Sequence, residues 1–254
     1  MTMKIAFTAS KRPEAQTALQ VLTQRYGQVA EESADVIVAL GGDGAMLDAM
    51  RRRFGDQKPV YGMNRGTVGF LMNEYSEDDL PTRIDRAEQA SVSPLRMSAT
   101  DIAGNRHDHL AINEVSMLRQ TSQTAKLKII IDGKQRIEEL SCDGLMVATA
   151  AGSTAYNLSA HGPILPIGAN LLALTPVSAF RPRRWRGALL RHDARIEVDV
   201  ISPHLRPASA SADNQEVRNI VNVSIHEETS LHLTMLFDTG HALDERILRE
   251  QFAF

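Results

Sequence analysis

Three short stretches combine residue types and spacings that can do chemistry. In VALGGDGAML, 38–47, Asp43 stands among glycines where an apolar run gives way to good helix formers. Glycines between a buried strand and a helix let the backbone turn sharply and approach a ligand closely. The helix start adds exposed N–H groups and a positive dipole end, which favour a phosphate. Asp43 is the charged side chain among them, and a carboxylate is a poor phosphate ligand. Its chemistry therefore lies with a hydroxyl or a metal, for example as the general base for an alcohol attacking a phosphoryl group. On these four letters alone, a tight turn with Asp43 capping the helix explains the pattern equally well. The stretch matches neither GxxxxGK[ST] nor GxGxxG, so neither of those mechanisms transfers.

The second stretch is NEVSMLR, 113–119. Asn113 carries a donor and an acceptor that suit an adenine edge or a ribose, and Glu114 can accept from ribose hydroxyls. Taken alone, the pair also reads as solvent-facing polar residues on a strand. The third is CDGLMVATAAGSTAYNLSAHGPILP, 142–166, where an apolar strand runs into Gly152, Ser153 and Thr154 before a helix-compatible segment. Small residues and hydroxyls at a helix start make an anion or nucleotide cradle. A capped helix closing the sheet, with Ser153 or Thr154 as cap, is the plainer alternative. The flanking glycines of a GxSxG elbow are absent, which discounts a serine hydrolase.

The elements that must position these residues fall into two styles. Up to about residue 93, short apolar runs (KIAFT, DVIVAL, KPVYGMN) alternate with amphipathic helical patterns at 14–26, 45–53 and from Ser76. That alternation predicts a three-layer α/β domain over 1–93. From 94 to 238 the pattern has period two, with a hairpin signal at Asp132-Gly133, and predicts a β-rich domain. Residues 239–254 carry Leu243, Ile247 and Phe252 at roughly helical spacing, which predicts a C-terminal helix.

The bulk numbers narrow the class. The chain has 254 residues, 43% hydrophobic and 23% charged, with a net charge of −3, so it is not an electrostatic binder of nucleic acid or membranes. The single cysteine, Cys142, excludes an intramolecular disulfide framework and fits a reducing compartment. With no long apolar stretch near the N-terminus, a cytoplasmic protein is expected. The basic run RPRRWR, 181–186, is expected to be a structural or subunit-interface loop rather than a nucleic-acid patch.

Taken together, the motifs resemble one family. GGDG at 41–44, GMNRGTVGFL at 62–71, NEVSMLR at 113–119, DGLMVATAAGSTAYNLSAHGPILP at 143–166 and SADNQ at 211–215 stand in the order and spacing of NAD kinases. The resemblance covers essentially the whole chain. It implies transfer of a phosphoryl group from ATP or polyphosphate to the 2′-hydroxyl of the adenosine ribose of NAD, giving NADP. Asp43 would be the base, and Gly42 and Gly44 would let donor phosphates and NAD approach. Asn113 and Glu114 would bind adenosine and ribose, and Asp143 would lie in the dinucleotide site. Ala151 and the run Thr154, Ala155, Tyr156, Asn157, Leu158 and Ser159 would wall that site, with Phe70 against the adenine and Gln215 touching the dinucleotide. A divalent ion, Mg²⁺ on the triphosphate, is implied, with no protein metal cage, as is a homodimer or homotetramer.

Three positions depart from the family pattern. TAAGSTAY replaces TPTGSTAY without losing a functional side chain. Asp48 stands where relatives often have a basic residue. Ser141, also expected at the dinucleotide site, replaces a positive residue that in some relatives accompanies preference for oxidised NAD, so NADH is an expected substrate too. The rival readings are a lipid kinase of the diacylglycerol or sphingosine type, which shares the glycine–aspartate signature, and a nucleotide-binding regulator without turnover.

Overall fold

The run VIVALG, all apolar and largely β-branched, forms a strand with all six residues buried, as expected for a parallel strand covered on both faces. It belongs to the first of two compact units, Met1–Val92 with Leu231–Phe254, the second being Ser93–Ser230. The computed structural model describes residues 3–66, 69–183, 185–240 and 252.

The first unit runs β1 (Ile5–Ala9), α1 (Pro13–Tyr26), β2 (Val36–Gly41), α2 (Asp43–Arg51), β3 (Val60–Asn64), α3 (Leu80–Asp85) and β4 (Glu88–Val92). Its five-stranded sheet has the order β1, β2, β3, Leu233–Phe237, β4. All neighbours are parallel except β4, which pairs antiparallel with Leu233–Phe237. Val36, Val38 and Leu40 pack with Ala15, Ala18 and Leu22 of α1 and with Leu80 and Ile84 of α3. Successive strand residues point to opposite faces, so Ile37 and Ala39 belong to the other side. There Met46 of α2 lies so close to Gly62 of β3 that an added Cβ would sit 3.0 Å from its sulfur. The result is the expected three layers.

The second unit holds two antiparallel six-stranded sheets. One has the order Ala188–Arg191, Leu171–Val177, Gly144–Ala148, Glu114–Arg119, Ala208–Ala212, Gln215–Val217. The other has the order Arg106–Ala111, Leu95–Asp101, Ile220–Glu227, Ile196–Val200, Ala125–Ile131, Lys134–Cys142. Alternate residues of both sheets, such as Val115, Val147, Leu127 and Val198, share one core. The hairpin at Asp132-Gly133 forms as its sequence predicts, with φ of +52° and +72°, the pair of positive values that a type I′ turn needs.

The structure differs from expectation at two places. The strand Leu233–Phe237, placed by its period-two pattern in the second domain, is a strand of the first sheet. Alternation reports that a strand exists, not which sheet it joins. The helix expected from Ser76 begins at Leu80, because the Ser76 hydroxyl accepts the Asp78 N–H in a turn and Pro81 occupies the first helical turn. The expected C-terminal helix falls outside the described residues, apart from Phe252.

Candidate active site

GGDG occupies the junction of β2 and α2. Gly41 has φ +155°, and a Cβ there would lie 2.7 Å from that of Ala45, so only glycine allows the helix to start this close to the strand. Asp43 is the first residue of α2, where a negative side chain complements the helix dipole. It does not cap the helix. Its two carboxylate oxygens instead accept the backbone N–H groups of Phe70, at 2.9 Å, and Leu71, at 2.7 Å. GGDG and the later GMNRGTVGFL motif are thus tied together through one side chain. Beside them lies a cavity of about 590 Å³ whose lining includes Gly42, Asp43 and Gly44 and also Ser10, Lys11 and Arg12. It opens at the carboxyl ends of parallel strands, the usual ligand position in such sheets.

In the second unit, Asn113 directly precedes a central strand that Glu114 begins. The carboxylate of Asp213, at the turn of SADNQ, accepts the N–H groups of Ile112 and Asn113, both at 2.9 Å, and of Glu114 at 3.2 Å. From the other side, Thr149 Oγ donates to the Ile112 carbonyl at 2.8 Å and accepts the Gly152 N–H at 3.0 Å. Gly152 passes so close that a Cβ would lie 2.1 Å from the Asn113 carbonyl oxygen. Within this frame the Asn113 Oδ1 is buried without a hydrogen-bond partner among the described residues. Buried acceptors are normally satisfied, so this one suits a ligand N–H. Asp143 pairs with Arg119 Nε at 2.6 Å. Burial raises the Tyr156 phenol above its usual pKa, and the charges of Glu114 and Asp143 raise it further.

The segment after the strand differs from the expected helix cradle. Ala151–Thr154 is a 3₁₀ turn and Tyr156–Ser159 a single helical turn without a side-chain cap. Ser153 Oγ donates to the Ala150 carbonyl and accepts the Leu165 N–H. These bonds close the loop on itself rather than leaving a long helix start open.

Residues 2–91 match the model of the ATP-NAD kinase N-terminal domain, and residues 112–223 that of the C-terminal domain. The chain is 69% identical to the NAD kinase of Hyphomonas neptunium, over 99% of both chains. It is 60% identical to that of Caulobacter vibrioides, over 98% of this chain and 96% of the relative. The chain belongs to the NAD kinase family. Its fold matches the yeast NADH kinase complexed with NADH at a TM-score of 0.85 and 22% identity, covering 99% of this chain and 88% of that one. It also matches the Archaeoglobus fulgidus NAD kinase in complex with ATP at a TM-score of 0.76 and 22% identity, covering 98% of each.

Set against the family pattern, the residues fall into groups. Asp43, Gly42 and Gly44 line the cavity, and Phe70 joins them through its backbone. Asn113, Glu114, Asp143, Ala151 and Tyr156 belong to the second unit's framework. Thr154, Ala155 and Leu158 are half-buried there and Ser159 is exposed. Asn157 is fully buried: its Oδ1 accepts from Thr175 Oγ, and its Nδ2 donates to the Ser153 and Pro163 carbonyls. It holds the loop, its amide being spent. Gln215 is exposed on the outermost strand of its sheet, while Asp213 makes the contact with the Asn113 strand. Ser141 is buried and exchanges backbone hydrogen bonds with Arg181, which fixes the start of RPRRWR, and Trp185 packs on the core.

Sequence reasoning passed over Asp213, Arg119, Thr149, Lys11 and Arg12. For Lys11 and Arg12 a signal existed, since they follow a parallel strand and precede a helix. Asp213 and Thr149 act on backbone groups distant in sequence, and no spacing announces that.

Proposed function

We propose that Asp43 orients and deprotonates the 2′-hydroxyl of the adenosine ribose of NAD for attack on the γ-phosphorus of ATP. The chain is an NAD kinase, a phosphotransferase with an alcohol group as acceptor, as full-length relatives at 54–69% identity indicate. In this step the hydroxyl proton passes to the Asp43 carboxylate and the ribose oxygen bonds to phosphorus. The bond between phosphorus and the bridging oxygen breaks, releasing ADP. An ordinary aspartate, with pKa about 3.9, is a weak base at neutral pH, so position counts for more than basicity. The observation that supports this role is the carboxylate pinned by the Phe70 and Leu71 N–H groups at the mouth of a cavity large enough for a triphosphate.

Asn113 and Glu114 would receive adenosine and ribose groups, with Asp143, Tyr156 and the 151–159 loop shaping the dinucleotide site, Phe70 near the adenine and Gln215 reaching the ligand from its turn. No group of three or more His, Cys, Asp or Glu residues among the described residues could hold a metal. The carboxylates of Asp43 and Asp48 are oxygen donors of the kind Mg²⁺ accepts, so an ion carried mainly by the phosphates fits this cavity. It would supply charge neutralisation on the donor.

With an uncharged Ser141, the enzyme is expected to accept NADH as well as NAD. A preference for NAD in kcat/KM above roughly a hundredfold, about 2.7 kcal/mol, would reject that. A cytoplasmic homodimer or homotetramer completes the reading. Among the described residues no helix is long and apolar enough to cross a membrane. Leu189, 54% exposed on an edge strand beside an apolar cavity of about 510 Å³, is a surface that a subunit contact would cover. A lipid kinase is not favoured, since the relatives that match over the full chain are NAD kinases. The decisive assay incubates the pure protein with NAD and Mg-ATP and reads NADP with an NADP-specific dehydrogenase. No NADP formation would overturn the proposal.

A further inference from the structure

The connection between β1 and α1 presents two cations to the cavity that holds Asp43. We propose that Lys11 and Arg12 grip the oligophosphate chain of the phosphoryl donor and set donor affinity. The inference rests on the kinase reading above and names residues that the family motifs do not include.

The charges around the cavity single out these two. A donor carrying several negative charges must settle beside Asp43 and Asp48, both of which line the same space. Asp48 is matched by Arg51 at 2.7 Å. The Arg52 guanidinium also lines the cavity, but it is engaged by the Glu31 carboxylate at 3.1 and 3.2 Å and by Thr8 Oγ at 3.1 Å. Arg65 donates to the Glu14 carbonyl at 3.3 Å and stacks over the Tyr75 ring at 4.3 Å. Lys11 and Arg12 are exposed, and neither side chain has an ion-pair or hydrogen-bond partner among the described residues. Among the described residues that line the cavity, they are the cations whose side chains have no partner.

Their backbone is nevertheless fixed. The Ser10 N–H donates to the Leu40 carbonyl at 2.9 Å, bridging the ends of β1 and β2. The Ser10 carbonyl accepts from Gln16 Nε2 at 2.8 Å, and the Arg12 carbonyl accepts the Ala15 and Gln16 N–H groups at 3.1 and 3.0 Å. Pro13 then starts α1. A loop held in this way orders little on binding, so most of the charge attraction survives as affinity. A Cβ added at Gly44, which lines the same cavity, would meet nothing within 4 Å, which leaves the start of α2 open to that space. The Oγ of Ser10, another lining residue, is buried without a hydrogen-bond partner among the described residues.

The test uses the full chain with Lys11→Met, Arg12→Met and the double substitution, assayed by NADP formation with ATP and, separately, with inorganic polyphosphate. The KM for ATP is expected to rise about tenfold for each single change, the scale of one charge-assisted hydrogen bond. In the double variant kcat should stay within about threefold and the KM for NAD within about twofold, while the salt dependence of the KM for ATP flattens. Arg12→Lys should restore most of the affinity, and Lys134→Met, in a hairpin of the other unit, should leave it unchanged. If polyphosphate serves as donor, its KM must rise in parallel; if only ATP serves, the chain gripped is that of the nucleotide. An unchanged KM for ATP in the double variant, or polyphosphate use with an unchanged KM, overturns the inference while leaving the kinase reading intact. A wild-type protein that makes no NADP overturns the reading itself.

Discussion

Replacing Asp43 by Asn separates two jobs that the structure gives to one carboxylate. The native side chain accepts two backbone N–H bonds, from Phe70 and Leu71. Hydrogen bonds to a charged group contribute roughly 1.5–3 kcal/mol each, and neutral ones about half of that. Asn keeps one acceptor oxygen, so one bond is lost, the other weakens, and an amide NH₂ faces an N–H donor. The closed arrangement of the 69–71 segment should therefore lose about 2–4 kcal/mol, a shift of roughly 30- to 1,000-fold in its opening equilibrium. Native-state hydrogen exchange reads this directly, as faster exchange of the Phe70 and Leu71 amides by that factor. Removal of a general base should separately lower kcat by about 10²–10⁴-fold. Affinity for NAD should fall by less than turnover does, because Asn113, Glu114 and the 151–159 loop are untouched while Phe70 is loosened. Unchanged exchange at 70 and 71 would refute the anchoring argument. Turnover of the folded variant within about tenfold of wild type would remove Asp43 from the base role.

Gly152→Ala forces a Cβ to within 2.1 Å of the Asn113 carbonyl oxygen, a backbone atom that cannot swing aside. The overpacking should cost about 1–3 kcal/mol, lowering Tm by several degrees in calorimetry, and raise the KM for NAD more than it lowers kcat. Asp213→Ala strips the partner from three N–H groups at the start of the Asn113 strand and should weaken NAD binding at least tenfold. Isothermal titration with NAD checks it, and native affinity would mean that the strand holds its position without the carboxylate. Burial pushes the Cys142 thiol up to about 12, so its thiolate is scarce at pH 8 in the folded protein. Iodoacetamide should modify it only after unfolding, and labelling of the native protein within minutes would contradict the packing.

Much of this was legible before the fold was seen. The six buried residues of β2, the period-two strands and the type I′ hairpin at Asp132-Gly133 depend on side chains a few positions apart. Such local interactions write themselves into spacing. So does the placing of GGDG between a strand and a helix. The loop after Ala148 was less legible, since Ser153 and Asn157 carry hydroxyl and amide groups that suit a ligand, yet the fold consumes both internally.

Sequence alone determined the two styles of domain, the family and the placing of Asp43 between a strand and a helix, because periodicity and motif order survive without coordinates. Only tertiary structure decided that Asp43 is clamped by residues 70 and 71, that Asp213 holds the Asn113 strand, and that Leu233–Phe237 completes the first sheet. It alone turned Lys11 and Arg12 toward the same cavity as Asp43. The reason is physical. Each of these contacts joins a group to a backbone or cavity that another part of the chain supplies, and strand order, which no local pattern encodes, sets who those neighbours are.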